Sequence, residues 1–136
     1  MPLLVELVSP ERIAWEGEAR MVICRTGTGD VAFLPGHIPF IGTLTTHPVR
    51  VLLEDGGEQV IAVHHGFVEV SPPEDGFTRV TVLSDVAELA DTIDVDRARA
   101  AKERAESALA ADADDVEAAA ALRRAEVRLA AVDAAA

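Results

Sequence analysis

Cysteine, lysine and long apolar runs are scarce in this sequence of 136 residues. The single cysteine, Cys24, excludes an internal disulfide framework and a zinc finger built on cysteines. No apolar run approaches the ~20 residues that a membrane-spanning helix needs, and the segment after Met1 lacks the basic start of a signal peptide. A net charge of −12 disfavours nucleic acid or an anionic membrane as a charge-driven partner. These features predict a soluble, acidic, intracellular protein.

Glycine, proline and aromatic residues are missing from the last third of the chain. All nine glycines, seven prolines and five aromatic residues lie before residue 78. Of the 49 residues from Glu88 to Ala136, 19 are alanine. Glycine and proline mark turns, whereas alanine is the strongest helix former. The sequence therefore predicts two domains, residues 1–87 and residues 88–136.

The first domain carries short segments rich in β-branched and aromatic residues. Turn signals such as Asp55-Gly56-Gly57 separate these segments. Regular spacing of this kind is typical of an antiparallel sandwich or a flattened barrel. We expect an N-terminal antiparallel β-sandwich of about ten short strands. Its clearest segments are Leu3–Val8, Glu18–Thr26, Val49–Glu54, Gln59–His64, Phe67–Val70 and Phe77–Leu83.

The second domain is predicted to be a C-terminal antiparallel α-helical hairpin, which makes the fold class α+β. Asp94 is placed to cap the first helix and Asp114 the second, with a short acidic turn between the helices. Taken together, the apolar stripes of the two helices are mostly alanine, which buries little area, so we expect the hairpin to detach at a cost of a few kcal/mol. The stripe of the second helix comprises Ala118, Leu122, Ala125, Leu129 and Val132.

The sequence contains no active-site motif. A nucleophile elbow, a phosphate-binding loop and a kinase-like signature are all missing, so we expect no catalytic residue. A small metal enzyme would have to use two or three histidines with Glu69. Against this, adjacent His64 and His65 point to opposite faces of a strand, and we expect no metal site. The four histidines are His37, His47, His64 and His65.

The arginines of the helical domain are placed for anion binding. Arg124 and Arg128 lie one turn apart on the second helix. Arg97 and Arg104 lie two turns apart on the first, so each pair shares one face of its helix. If the hairpin folds back on the sandwich, the four guanidinium groups can converge on one anion. The alternative is an ordinary solvated surface, in which these arginines pair with nearby glutamates, namely Glu103, Glu106 and Glu126.

Short motifs follow one another along the whole chain in a fixed order. They are Glu16–Ala19, Leu34–Pro39, Gly66–Val70, Val82–Asp85, Ile93–Ala98, Ala101–Glu106, Leu122–Ala125 and Arg128–Leu129. In this order and spacing, across residues 3–132, the chain resembles the epsilon subunit of the F-type ATP synthase, bacterial type. The resemblance agrees with the division into a β-rich part and an alanine-rich helical part.

The resemblance implies a non-catalytic rotor subunit. Its sandwich would bind the central-shaft gamma subunit and sit on the membrane c-ring, with Asp30 and His37 as c-ring contacts. For His37, the alternative is a turn residue satisfied by nearby backbone. The hairpin would permit turnover when folded and block ATP hydrolysis when extended along the shaft. In the extended state Arg123, Arg124 and Arg128 would meet acidic segments of the catalytic beta subunits.

Some relatives bind ATP in the folded hairpin through a motif that resembles Ile93–Ala98. No cofactor is required on this interpretation, and the ligand implied is regulatory ATP. Arginine suits phosphate because its guanidinium group is planar and stays charged. Asp94 keeps its alternative role as a helix cap. Carried over by position, the ATP-binding residues are Glu88, Asp94, Arg97, Ala98, Arg104, Arg124 and Arg128.

Arginine outnumbers lysine 11 to 1, which is typical of a GC-rich genome. Together with the resemblance, this predicts a peripheral protein of the F1 sector at the cytoplasmic face of a bacterial plasma membrane. The alternative function is a free-standing β-sandwich protein-binding module with a helical appendage, which would have no gamma partner.

Overall fold

The computed structural model describes residues 2–136, which form a β-sandwich followed by a helical hairpin, as the sequence predicts. The strands are β1 (Leu3–Val8), β2 (Ile13–Thr26), β3 (Gly29–Phe33), β4 (Phe40–Leu44), β5 (His47–Leu53), β6 (Glu58–Glu74) and β7 (Phe77–Leu89). One turn of 3₁₀ helix, Ala90–Thr92, leads to α1 (Val95–Ala111) and α2 (Val116–Ala135). In residues 2–136, no helix is long and apolar enough to cross a membrane.

The sheet closes on itself through β1. Its strands follow the order β1-β7-β6-β4-β2-β3, β5 pairs with both β2 and β6, and β1 also pairs with β2. The pairing of β1 with β7 is parallel, and the other pairings are antiparallel. Alternation along β1 turns Leu3, Val5 and Leu7 inward, where they join Phe33 and many valines in one core. The sandwich therefore has a hydrophobic core of its own.

The number of strands differs from the expected one. Instead of about ten short strands, the described residues form seven, of which β2, β6 and β7 are 14, 17 and 13 residues long. β6 covers two predicted segments, Gln59–His64 and Phe67–Val70, in one strand. Register shifts between Val63 and Phe67 bend this strand without ending it. One long strand can therefore pair first with β5 and then with β4.

The irregularity in β6 is centred on Gly66, where β6 and β7 approach closely. A Cβ atom at this position would collide with the carbonyl oxygen of Leu83, so the approach requires glycine. Before the irregularity, Ala62 and His64 lie on the outer face of the sandwich; after it, Phe67 does. The same strand therefore presents an outer face that is first covered by α2 and then open.

The helices begin at aspartates, as predicted, but one of the two caps is misplaced in the prediction. Asp94 caps α1 by accepting the N–H three residues further on, at 3.1 Å. For α2 the prediction of Asp114 is wrong, because Asp115 accepts the N–H of Ala118 at 3.0 Å. The side chain of Asp112 accepts the N–H of Asp114 at 3.0 Å, which keeps Asp114 within the turn. The second helix therefore starts one residue later.

The hairpin is folded back, and α2 lies against the outer face of the sandwich while α1 packs on α2. Val127 and Ala131 face the sandwich although the predicted stripe leaves them out, because α2 has one contact face for α1 and a second for β5 and β6. Small side chains fill this contact, so the free energy that holds the hairpin down is modest. We call it the seam, and its buried members are Val60, Ala62, Ala90, Val127 and Ala131.

Candidate functional site

A cleft of about 290 Å³ opens where β7 ends and the hairpin begins. Six of the seven residues predicted to bind nucleotide line it, and they come from β7, α1 with its cap, and α2. Because β7 continues to Leu89, Glu88 belongs to the last strand of the sandwich. The cleft is therefore complete only while the hairpin is docked. The six residues are Glu88, Asp94, Arg97, Ala98, Arg104 and Arg128.

Arg124, the seventh predicted residue, lies in an adjoining cleft between α1 and α2. This second cleft measures about 610 Å³ and is lined by Arg104 and Arg128 as well. Arg124 lies one turn before Arg128 on the same helix face, as the spacing predicts. The structure therefore brings six of the predicted residues into one cleft and places the seventh next to it.

Glu88 joins the sandwich to α2 through a single oxygen atom. Its Oε1 accepts a hydrogen bond from Arg128 Nε at 2.7 Å and another from His64 Nε2 at 2.9 Å. Partial burial raises the pKa of Glu88, but the hydrogen bonds from Arg128 and His64 outweigh burial, and the pKa lies below its ordinary value. Glu88 is therefore ionised at neutral pH and orients the Arg128 side chain.

His64 is a residue of this site that sequence reasoning missed. Its sequence context suggests only a metal ligand, yet its side chain is 7% exposed and lies on the face of β6 that α2 covers. The one available signal was alternation along β6, which puts His64 on the face opposite the core residue Val63. Alternation could not show that the outer face is covered at this point, because the covering helix is far away in sequence.

Two arginines of the cleft differ from Arg128 in their pairing. Among residues 2–136, neither Arg97 nor Arg104 forms an ion pair. Both carboxylates of the cleft are engaged, Glu88 by Arg128 and Asp94 by the N-terminus of α1. In this part of the chain the alternative pairing is not formed either, since no ion pair involves Glu103, Glu106 or Glu126.

The N-terminus of α1 adds to the positive character of the cleft. Asp94 caps this 17-residue helix, and Arg97 and Ala98 follow in its first turn. Aligned peptide dipoles give the first turn of a helix a partial positive charge, which favours anions. Guanidinium groups on two helices together with a helix N-terminus suit a ligand with several phosphate oxygens.

The two residues predicted to contact the c-ring lie on β3 and in the loop after it. Asp30 is exposed, and Arg25 donates to it with Nε 2.8 Å from Oδ1, a hydrogen bond that lowers the pKa of Asp30. His37 packs edge-on against Phe33 with ring centroids 5.0 Å apart, and its Nδ1 lies 2.7 Å from the carbonyl oxygen of Ile38. The contact of Asp30 and His37 with a c-ring stays a prediction.

The arginines predicted to meet the beta subunits differ in their accessibility. Arg123 is exposed beside a groove of about 440 Å³ between α2 and β5. Arg124 is exposed in the cleft between the helices, whereas Arg128 is held by Glu88. In the docked hairpin Nε of Arg128 is therefore engaged by Glu88, and the beta-subunit contact stays a prediction.

A metal-binding cluster is not found in the described part of the chain. No three His, Cys, Asp or Glu side chains are grouped there so that they could hold a metal ion. Cys24 is buried in the sandwich core, where burial raises the pKa of its thiol to about 12. A thiol of this kind stays protonated and unreactive at neutral pH.

Comparison with known proteins accounts for both halves of the chain. The family model for the ATP synthase delta/epsilon chain, beta-sandwich domain, matches residues 2–90, and the model for the long alpha-helix domain matches residues 91–133. The ATP synthase epsilon chain of Streptomyces griseus is 45% identical over 130 residues, which cover 96% of this chain and 94% of the relative. That of Thermobifida fusca is 46% identical over 114 residues, which cover 82% and 80%.

Solved structures share this fold. A chain of the Euglena gracilis mitochondrial ATP synthase, OSCP/F1/c-ring, matches with a TM-score of 0.69 at 19% identity and covers 97% of this chain and 78% of that chain. A chain of the Tetrahymena thermophila mitochondrial ATP synthase, central stalk/c-ring, matches with a TM-score of 0.53 at 14% identity and covers 100% and 98%. At these identities the likeness concerns the fold alone.

Proposed function

Because this chain belongs to the ATP synthase delta/epsilon family, we propose that it is a rotor subunit whose docked hairpin binds regulatory ATP. It is a non-catalytic epsilon subunit of the central stalk, and catalysis belongs to the beta subunits. Its sandwich couples rotation of the c-ring to the gamma shaft, and its hairpin, once released, inhibits ATP hydrolysis. It works as a peripheral part of F1 at the cytoplasmic face of a bacterial plasma membrane.

An open apolar patch on the sandwich supports a docking surface for gamma. Phe67 of β6 and Leu83 of β7 are direct cross-strand neighbours, and Ile41 of β4 lies diagonal to Phe67. Their side chains are 47%, 37% and 70% exposed. Neighbouring apolar side chains that stay open to water are typical of protein–protein contacts. We assign the gamma shaft to this patch, which continues the strand face that α2 covers further along β6.

The cleft would receive the phosphates of ATP among its three arginines. Arg97 and Arg104 make no ion pair within the described residues, so a phosphate there displaces no partner. Arg128 uses Nε to donate to Glu88, which leaves its terminal nitrogens for phosphate oxygens. Glu88 would hold Arg128 in place and stay away from the phosphates, because like charges repel.

ATP would keep the hairpin docked, because the cleft is built from both domains. Glu88 comes from the sandwich, whereas Arg97 and Arg104 come from α1. A ligand that binds only the docked form stabilises it by about 2.7 kcal/mol at a hundredfold excess over its Kd. Against a seam of small side chains this shift is large, so plentiful ATP folds the hairpin and scarce ATP releases it.

The convergence of Arg97, Arg104 and Arg128 opposite Glu88 is the observation that carries the ATP proposal. Calorimetric titration of ATP into the full chain tests it, beside the variant Arg104→Ala. The matched control is Arg99→Ala, which removes an exposed arginine on the same helix that does not line the cleft. We expect saturable binding by the wild type and the control, and at least about tenfold weaker binding by Arg104→Ala. No saturable binding by the wild type at millimolar ATP overturns the proposal.

Assembly with gamma distinguishes a rotor subunit from a free-standing binding module. Co-expression of the chain with gamma should give a stoichiometric complex. Phe67→Asp places a charge in the apolar patch and should weaken the complex by about tenfold or more. Arg20→Asp, on an exposed position of β2, is the control for a charge change elsewhere on the sandwich. Failure of the wild type to form the complex would favour the free-standing module.

A further inference from the structure

His64 lies on the outer face of the sandwich, under α2 and beside the cleft. We propose that His64 is a positioning residue: as a neutral imidazole it fixes Glu88 and through it Arg128, and its protonation releases α2 from the sandwich. The nucleotide part of this inference rests on the proposed function. The docking part does not, because it concerns only the contact between the two domains.

Side chains from three elements meet at one carboxylate oxygen. His64 Nε2 of β6 lies 2.9 Å from Glu88 Oε1 of β7, and Arg128 Nε of α2 lies 2.7 Å from the same oxygen. A carboxylate oxygen only accepts, so His64 must carry its hydrogen on Nε2. Two donors at one oxygen restrict the carboxylate of Glu88, and the restricted carboxylate in turn aims the guanidinium group of Arg128.

The second ring nitrogen of His64 favours the neutral form. Nδ1 is buried and has no hydrogen-bond partner among residues 2–136. In the neutral ring Nδ1 is an unpaired acceptor, whereas in the protonated ring it becomes an unpaired N–H on a charged group, which costs more in a buried position. The absence of a partner therefore favours one state of the ring, the neutral tautomer with its hydrogen on Nε2.

The charges around His64 act in the same direction. Glu88 faces it from β7, and Arg124 and Arg128 face it from α2. Before β5, the hydroxyl of Thr46 donates to the carbonyl oxygen of His64 and adds no charge. Burial and the two arginines keep the pKa of His64 below its ordinary value, although Glu88 opposes them.

A lowered pKa in the docked state makes docking depend on pH. Once α2 leaves, His64 loses the burial and the two arginines that lower its pKa, but it keeps Glu88 beside it on the sandwich, so its pKa rises. The undocked form then binds a proton more readily than the docked form. Docking is therefore most stable above the pKa of His64 in the undocked form, and it weakens as the pH falls below that pKa. Protonation of His64 opposes ATP binding, because ATP requires the docked form.

Three substitutions test this assignment by ATP titration of the full chain at about pH 7.5 and about pH 5.5. His64→Leu removes the donor and should weaken ATP binding about tenfold at the higher pH. His64→Gln supplies an N–H donor that does not titrate, and it should recover most of this loss. His65→Gln, on the exposed neighbour, is the control and should match the wild type at both values.

The decisive comparison is the ratio of affinities at the two pH values. The wild type and His65→Gln should lose up to about tenfold more affinity on acidification than His64→Gln. The titration of ATP itself is common to all three proteins and cancels between them. A His64→Gln profile that follows the wild type, or wild-type affinity in His64→Leu, overturns the assignment.

Two measurements on the chain without ATP test the docking of α2 separately from nucleotide binding. Hydrogen exchange of α2, corrected for intrinsic rates, should show docking that weakens on acidification in the wild type and not in His64→Gln. Ring ¹⁵N spectra of the wild type should show hydrogen on Nε2 and none on Nδ1. If ATP fails to bind while these results hold, the nucleotide site is wrong, but the pH-dependent docking of α2 through His64 stands. The opposite tautomer, or pH-independent exchange, refutes the role of His64 in docking.

Discussion

Arg128 and Glu88 are 40 residues apart in sequence and meet with Arg128 Nε 2.7 Å from Glu88 Oε1. The pair fixes the second helix of the hairpin to the last strand of the sandwich. It is the polar part of the interface whose apolar part is the seam around Val127 and Ala131. The same pair lies in the wall of the cleft, so a change that loosens the hairpin also alters the candidate ligand site.

Glu88→Ala should loosen α2 without unfolding the sandwich. The substitution leaves Arg128 and His64 without their common acceptor, and a lost hydrogen bond to a charged group costs about 1.5–3 kcal/mol. Native-state hydrogen exchange should report a fall of this order in the opening free energy of α2. Glu58→Ala is the matched control, because it also removes a glutamate that pairs with an arginine Nε, here that of Arg50 on the surface of the sandwich. That pair should contribute less than about 1 kcal/mol. Equal effects of both substitutions on α2 would contradict the prediction.

Gly66→Ala should destabilise the sandwich itself. The added Cβ meets the backbone carbonyl of Leu83, which no side-chain rotation can relieve. Overpacking of this kind costs about 1–3 kcal/mol, measured as a lower midpoint in urea unfolding. Gly27→Ala is the control, since a Cβ there has no neighbour within 4 Å. An unchanged midpoint for Gly66→Ala would mean that β6 and β7 can separate at this point at little cost.

Local chemistry predicted much of this fold. The alanine-rich composition after residue 87 separates the helices from the strands, and turn signals separate the strands from one another. Asp94 was predictable as a cap because capping needs only its own side chain and an N–H three residues on. The same rule failed at the second helix, where Asp114 and Asp115 are both able to cap. There the choice depends on how Asp112 closes the turn.

The parts of the site that the sequence could not predict depend on contacts between residues far apart in the chain. His64 acquires its role from Glu88, 24 residues away, and from a helix that covers its face of β6. Val127 was missed because periodicity identifies one stripe, whereas α2 has two contact faces. The arginines were predictable because helical spacing alone puts Arg124 near Arg128. That Arg128 is paired, and that Arg97 has no ion pair in residues 2–136, required the folded arrangement.

Ala131→Leu should shift the hairpin toward release. Ala131 is fully buried in the seam, and a leucine there has no space against β6. Overpacking by three carbon atoms costs about 1–3 kcal/mol, which is comparable to the whole gain expected from bound ATP. In F1 reassembled with this variant, ATP hydrolysis should be more strongly inhibited than with the wild type. Ala110→Leu, at an exposed position of α1, is the control and should leave hydrolysis unchanged. Stronger inhibition by both variants would point to an effect of leucine on the extended hairpin.

Arg123→Glu should separate inhibition from nucleotide binding. Arg123 is exposed beside β5 and lines neither of the two arginine clefts, so its replacement leaves the ATP site intact. If the extended hairpin meets acidic segments of the beta subunits, the reversed charge repels them, and inhibition should weaken by about tenfold or more. The measurements are ATP titration of the free chain and ATP hydrolysis by reassembled F1, each beside Arg104→Ala. We expect the opposite pattern from Arg104→Ala, weaker ATP binding with inhibition retained. Unchanged inhibition by Arg123→Glu would exclude Arg123 from the beta-subunit contact, because a charge reversal at a true ion pair cannot be silent.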